Sequence, residues 1–266
     1  MLKKRVIFTL LYNDGFFAQS RNFNLQNVGD LEWLKKNYDF RKISYYIDEL
    51  IILDVSRKKK FSNQFVESIK LISKQCFIPI TVGGGIRNLN QAKTLFLNAC
   101  DKVCINSNLE KKLITQIANI YGQQSIVASL DFKKIKNDYY FFTNNGSIKK
   151  KESCQNYLRK ILRLPVGEIV VNSIDRDGTG IGLDFDILKF FPKKIDKSLI
   201  ISGGVGNFSH LYDGLKNNRI DAVNTANLLN FLGDGLKKTR EMLIKKKLKL
   251  PTWNSKIIEN LNFSNQ

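Results

Sequence analysis

Histidine is nearly absent: His210 is the only one in 266 residues. Cysteine is also scarce, with Cys76, Cys100, Cys104 and Cys154, and none of the four forms a Cys-x-x-Cys pair. A zinc site built from His and Cys is therefore poorly supplied, no other metal site is expected, and buried thiols in a reducing compartment are. No apolar run approaches the length of a membrane span. The basic start, Met1-Leu2-Lys3-Lys4-Arg5, is followed by a short apolar stretch that breaks at Asn13-Asp14-Gly15. A signal peptide wants a longer apolar region and a small-residue cleavage site, so a cytoplasmic chain is expected. Acidic residues are outnumbered, 24 against 43 Lys+Arg, for a net charge of +19. The lysines are scattered, with short clusters at Lys58–Lys60, Lys149–Lys151 and Lys245–Lys247, and no basic run is interleaved with aromatics. That pattern fits a solvated basic surface better than a nucleic-acid platform. Anionic substrates and an acidic protein partner both remain compatible with it.

What is present is a regular alternation. Short β-branched runs fall at Arg5–Leu11, Glu49–Val55, Phe77–Val82, Lys102–Asn106, Ser125–Asp131, Glu168–Ile174, Leu199–Ser202 and Ile220–Thr225. Helical patterns lie between them, at Asp30–Tyr45, Ser62–Lys74, Asn90–Leu97, Leu109–Tyr121, Ser153–Leu162, Phe185–Phe190, Phe208–Lys216 and Leu232–Lys245. Eight strands alternating with eight helices predict parallel βαβ units closed into a single (β/α)8 TIM barrel of the α/β class. An internal repeat supports closure by two halves. Val82-Gly83-Gly84-Gly85 resembles Ser202-Gly203-Gly204-Val205, and Asp101-Lys102-Val103 resembles Asp221-Ala222-Val223, about 120 residues apart and far beyond solenoid periods. The expected layout is a barrel over 1–250, with half-barrels at about 1–122 and 123–250, and a frayed tail over 251–266. Residues 132–151 form an excursion after the fifth strand, read as a hairpin turning at Asn144-Asn145-Gly146.

Glycines and small polar residues gather where strands end. Gly83 and Gly84 follow the third strand, Asn106 and Ser107 the fourth, Asp177 and Gly178 the sixth, Gly203 and Gly204 the seventh, and Ala226 and Asn227 the eighth. In a barrel these loops form the catalytic face. Glycine there lets backbone N–H groups approach phosphate oxygens, although each glycine could equally serve only a tight turn. The paired arrangement predicts two phosphate sites on opposite sides of the mouth.

Several of these segments together carry a resemblance. Met1-Leu2-Lys3-Lys4-Arg5-Val6-Ile7, Thr81–Ile86, Asp101–Asn106, Ser173–Thr179 and Ser202–Gly206 resemble, in order and spacing, the cyclase subunit of imidazole glycerol phosphate synthase, from Met1 to about Phe231. The resemblance implies a barrel that receives ammonia from a partner glutaminase docked on its N-terminal face. The barrel would join that ammonia to a bis-phosphorylated ribonucleotide, with no cofactor. It further implies Asp131 as one catalytic carboxylate, Arg5, Glu49, Lys102 and Glu168 as a ring of charges gating ammonia, and Asp101 as a residue facing the glutaminase. One position departs. The first-strand carboxylate of the family falls at Leu11, which can neither donate nor accept a proton. The loop beyond reads Phe16-Phe17-Ala18-Gln19, where the family usually has a basic residue.

A branch of cyclase-like proteins also reads Leu-Leu at that point and is associated with acetamidino modification of surface-polysaccharide sugars. By that resemblance the acceptor would be an acetamido group of a sugar or nucleotide sugar, with an amidotransferase-like protein acting alongside. The alternatives are the histidine-pathway cyclase itself and a non-catalytic scaffold that activates a glutaminase. Asp131 and both phosphate loops argue against the scaffold. Leu11 and the gate residues argue against the sister isomerase of the same pathway. His210, Trp33 and Trp253 are read as packing residues.

Overall fold

The computed structural model describes residues 3–58, 60–98, 100–226 and 233–254. Its strands are β1 (Arg5–Asn13), β2 (Phe16–Arg21), β3 (Asn24–Gly29), β4 (Glu49–Asp54), β5 (Ile80–Gly83), β6 (Lys102–Ile105), β7 (Ile126–Ile135), β8 (Asp138–Thr143), β9 (Ile148–Lys149), β10 (Glu168–Ser173), β11 (Ser198–Ser202) and β12 (Ala222–Thr225). The helices are α1 (Leu31–Asn37), α2 (Phe40–Ile43), α3 (Asn63–Ser73), α4 (Leu89–Leu97), α5 (Lys111–Tyr121), α6 (Cys154–Leu162), α7 (Phe208–Lys216) and α8 (Gly235–Lys245). Eight strands pair in parallel in the order β1, β4, β5, β6, β7, β10, β11, β12. The circle closes where Arg5 of β1 faces Ala222 of β12. This is the (β/α)8 barrel that the alternating pattern predicts.

The strands are β-branched because both faces are covered: one by helices, the other by the barrel's own interior. The main core lies between strands and helices, and a second cluster fills the barrel axis. Ser62, Asn88, Ser153 and Asn207 each accept a hydrogen bond from an N–H of the helix they precede, which fixes helix starts at the mouth of the barrel. Among the described residues no helix is long and apolar enough to cross a membrane.

Some expectations need correction. The single helix over Asp30–Tyr45 is two, because Tyr38 turns extended and Asp39 starts α2 with its own side-chain cap. Phe185–Phe190 winds as a 3-10 helix capped by Asp184. The Asn144–Gly146 turn joins β8 to the short β9, while β7 and β8 meet earlier, at Lys136. The loop after β1 contains a second hairpin, β2–β3, which no sequence pattern flagged. Asn227 and the tail over 255–266 lie outside the described residues.

Candidate functional site

Alternate side chains of each barrel strand point along the axis, so the interior is a stack of rungs that runs from the strand starts to the strand ends. The lowest rung is ionic. Arg5 Nη1 donates to Glu49 Oε2 at 2.8 Å and to Glu168 Oε1 at 2.9 Å. Lys102 Nζ donates to the same two oxygens at 2.8 and 3.1 Å. Two bases and two acids from four strands thus form a closed ring. Thr81 Oγ1 donates to Glu49 Oε1, and Arg5 Nη2 donates to Ser198 Oγ. Burial pulls the Arg5 guanidinium down, but Glu168 and Glu49 together hold it above its ordinary value. One oxygen, Glu168 Oε2, is buried without a protein partner.

Above the ring lies an apolar collar of Ile7, Ile51, Cys104, Val127, Val170, Ile200 and Ala222. Burial pushes the Cys104 thiol up to about 12, which leaves it inert in the wall. The next rung is polar. Thr9 Oγ1 donates to Asn224 Oδ1 at 2.7 Å, and Asn224 Nδ2 donates to Ser202 Oγ at 3.0 Å.

Asp131 sits at the mouth end of β7 and is 8% exposed. Asn106 Nδ2 donates to its Oδ2 at 3.0 Å and Asn172 Nδ2 to its Oδ1 at 3.3 Å. Burial lifts its carboxyl to about 7; the Asn172 bond and Lys60 pull down, and Asp177 pushes up. A carboxyl held at about 7 has the proton affinity that general acid–base chemistry uses at neutral pH. Asp131 lines a cavity of about 400 Å³, with Leu11, Leu53, Lys60, Gly84 and Asn172 among its walls. Leu11 brings no titratable group to this wall.

The predicted phosphate residues divide. Gly84, Asn106 and Ser107 line the main cavity, but Gly83 sits below it, where a Cβ would come within 2.5 Å of Cys104 O. Asn106 has its amide on Asp131 and Ser129 O, and Ser107 Oγ accepts from Asn144 N. Asp177, Gly178, Gly203, Gly204 and Ala226 line a neighbouring hollow of about 270 Å³. Gly178 and Gly204 have φ of +66° and +96°, and a Cβ there would meet Ser20 O at 1.8 Å and Gly182 O at 2.1 Å. Close backbone packing alone thus requires these glycines. Asp177 holds the roof: its Oδ2 accepts from Ser20 Oγ at 2.5 Å and from Phe23 N at 3.1 Å. Its carboxyl is raised by burial, against the bond from Ser20. Asp101 is exposed at the floor, its Oδ2 accepting from Ile80 N at 2.8 Å. His210 Nδ1 accepts from Gly206 N, and Trp33 and Trp253 pack on neighbours, as read.

Sequence reasoning missed the cations of the mouth. Arg57, Lys60 and Arg87 all line the main cavity. Lys60 belongs to a lysine cluster that reads as surface. Its signal was position: it follows the end of a barrel strand, on the catalytic face. Asp54 folds that loop inward by accepting from Ser56 N at 3.0 Å and Phe61 N at 2.7 Å.

Residues 27–233 match the family model described as histidine biosynthesis protein. The chain is 49% identical over 243 residues to the "Putative imidazole glycerol phosphate synthase subunit hisF2" of Parasynechococcus marenigrum, covering 91% of this chain and 90% of that one. It is 36% identical to the imidazole glycerol phosphate synthase subunit HisF of Pelodictyon phaeoclathratiforme, over 91% and 96% of the two chains. The HisF of Chlorobaculum tepidum is 34% identical, over the same shares. With near-complete coverage on both sides and one barrel throughout, this chain belongs to the histidine biosynthesis protein family, among relatives named HisF.

Proposed function

We propose that this chain is the ammonia-using synthase subunit of a glutamine amidotransferase complex of the imidazole glycerol phosphate synthase type. A glutaminase docks on the barrel floor, ammonia passes the ring of Arg5, Glu49, Lys102 and Glu168, and Asp131 assists its addition to a phosphorylated acceptor held at the mouth. The observation that carries this reading is the coaxial stack: an ionic ring at the floor, an apolar collar, and a carboxyl near 7 at the other end. An apolar collar passes neutral ammonia and resists ammonium, because an unpaired charge there would go unsolvated. Exposed Leu97, Ile120 and Ile244 near the ends of α4, α5 and α8, with Asp101, suit the floor to a protein partner. The hollows beside Gly84 and beside Gly178, Gly203 and Gly204 suit the two phosphates of one acceptor.

The names of the relatives support the bis-phosphorylated ribonucleotide of the cyclase reaction as that acceptor. Leu11 favours a second reading, in which ammonia nitrogen replaces the oxygen of an acetamido group on a sugar, with an amidotransferase-like protein acting alongside. Turnover of the ribonucleotide by the purified chain with excess ammonium salt, beside turnover of an acetamido nucleotide sugar, separates the two. Ring closure and lyase products from the first substrate establish the cyclase. An amidine from the second, with none from the first, establishes the sugar acceptor. A folded chain that uses ammonium on neither substrate contradicts the synthase reading.

A further inference from the structure

We propose that Lys60, on the loop after β4, is the second proton-carrying side chain of the mouth, working across the cavity from Asp131 on the oxygen that the incoming nitrogen displaces. The inference rests on the synthase reading above and names the group that serves where Leu11 cannot.

Elimination narrows the choice. Among the described residues, the titratable groups of the main cavity are Asp54, Arg57, Lys60, Arg87, Cys104, Asp131 and Asp177. Asp54 has both oxygens held by backbone N–H groups of its own loop, which cannot turn away as the side-chain amides on Asp131 can. Asp177 is occupied with Ser20 and Phe23 of the β2–β3 hairpin. Cys104 lies in the collar and keeps its proton. The guanidinium groups of Arg57 and Arg87 do not give theirs up. Among the described residues, Lys60 alone joins Asp131 with a proton that can move.

Its placement is built rather than incidental. Gly85 has φ +74°, and a Cβ there would meet Lys60 Cβ at 2.6 Å, so this glycine makes room for the lysine stem to turn inward. Lys60 Nζ donates to Asn145 Oδ1 at 2.8 Å, and Asn145 Nδ2 donates to Val55 O at 3.1 Å. The hairpin tip after β8 thereby fixes the amine over the cavity. The charged groups that face it are Asp54 from β4, Asp131 from β7 and Arg87 from the loop after β5. Burial lowers the affinity of Lys60 for its proton; the two carboxylates oppose this and Arg87 adds to it. Burial thus raises the acid and lowers the base that face one cavity, which draws their proton affinities toward each other.

The step balances. Ammonia attacks a carbonyl carbon, forming C–N while the C=O electron pair moves to oxygen. The nitrogen must lose two protons and the oxygen must gain two to leave as water, with C=N remaining. Asp131 takes one proton from nitrogen and the Lys60 ammonium gives one to oxygen. The proton on Asp131 then passes to the Lys60 amine, and the pair repeats the exchange.

Two measurements test this. Trace acetic anhydride labels only neutral amines, and peptide mass spectrometry against pH gives a titration midpoint for each lysine. The Lys60 midpoint falls below those of the solvent-exposed lysines, and falls further in Asp131→Asn, which removes a facing negative charge. An ordinary midpoint, unmoved by Asp131→Asn, overturns the pairing whichever acceptor is real. In ammonium-dependent turnover, Lys60→Met and Lys60→Arg both lose about 10²-fold or more. Arginine keeps the charge but cannot yield a proton, so rescue by Lys60→Arg to within about 3-fold reduces Lys60 to an anion ligand and overturns the proposal. If the unaltered chain uses ammonium on no acceptor while Lys60 still titrates low and coupled, the synthase reading fails and the pair stands.

Discussion

Asp131 is 8% exposed, carries two amide donors on its oxygens, and is lifted by burial to about 7. A carboxyl whose folded value lies above its unfolded one keeps a proton that the unfolded chain has lost. Its contribution to stability is fully present below the unfolded value and is lost as pH rises through about 7. Asp131→Asn removes that penalty. The variant should be more stable than the parent at pH 8, by up to about 4 kcal/mol, with the gap closing toward pH 4; thermal melts across that range check it. The same substitution should lower ammonium-dependent turnover about 10²–10⁴-fold. Acting as a base, Asp131 gives a rate that rises as pH passes about 7. Leu11→Asp would add a carboxylate to the wall of the same cavity, and a second negative charge there should move that limb upward. A limb that stays fixed would place residue 11 out of electrostatic reach of Asp131.

Two elements carry separable predictions. The floor ring joins β1, β4, β6 and β10 through four side chains that share their charges. Arg5→Ala would leave two buried carboxylates sharing the one charge of Lys102, so it should be destabilising in denaturant unfolding, by less than the about 3–5 kcal/mol of a wholly unpaired buried charge. Lys102→Ala should uncouple glutamine use from synthesis while sparing turnover with ammonium salts. Equal loss with both nitrogen sources would remove the ring from the ammonia path. The β2–β3 hairpin roofs the mouth through Ser20, Asn22 and Phe23, all bonded to Asp177 or the backbone beside it. Gly178→Ala would drive a Cβ into Ser20 O and should raise the acceptor KM several-fold with faster protease cleavage between Phe16 and Gly29. Unchanged cleavage would mean the hairpin does not depend on that contact.

The sequence announces the barrel because its strands are buried on both faces and its helices carry clear caps. Arg5, Glu49, Lys102 and Glu168 were legible through the family resemblance; the structure adds that each opens a barrel strand and meets its partners across the axis. The hairpin was hidden because Asp14-Gly15 reads only as the end of the first strand and Phe16-Phe17-Ala18 does not alternate, while its tip is tied down by Asp177, over 150 positions away. Lys60 was hidden for a related reason: long-range contacts with Gly85 and Asn145, rather than local pattern, turn one lysine of a cluster inward.

At the scale of the whole molecule, the two ends of the barrel are chemically unlike and joined by one axis. The floor is ionic with exposed apolar residues nearby; the mouth is polar, cationic and roofed by two hairpins. The ammonia transfer proposed above would follow that axis, from the ring through the collar to Asp131. The most direct test supplies this chain, together with the glutaminase proposed as its partner, with glutamine labelled with ¹⁵N in the side-chain amide, excess unlabelled ammonium salt, and the acceptor. Product should carry the glutamine nitrogen in preference to the bulk pool, and lose that preference in Lys102→Ala. Product whose nitrogen matches the bulk ammonium in the unaltered complex would contradict transfer along the axis.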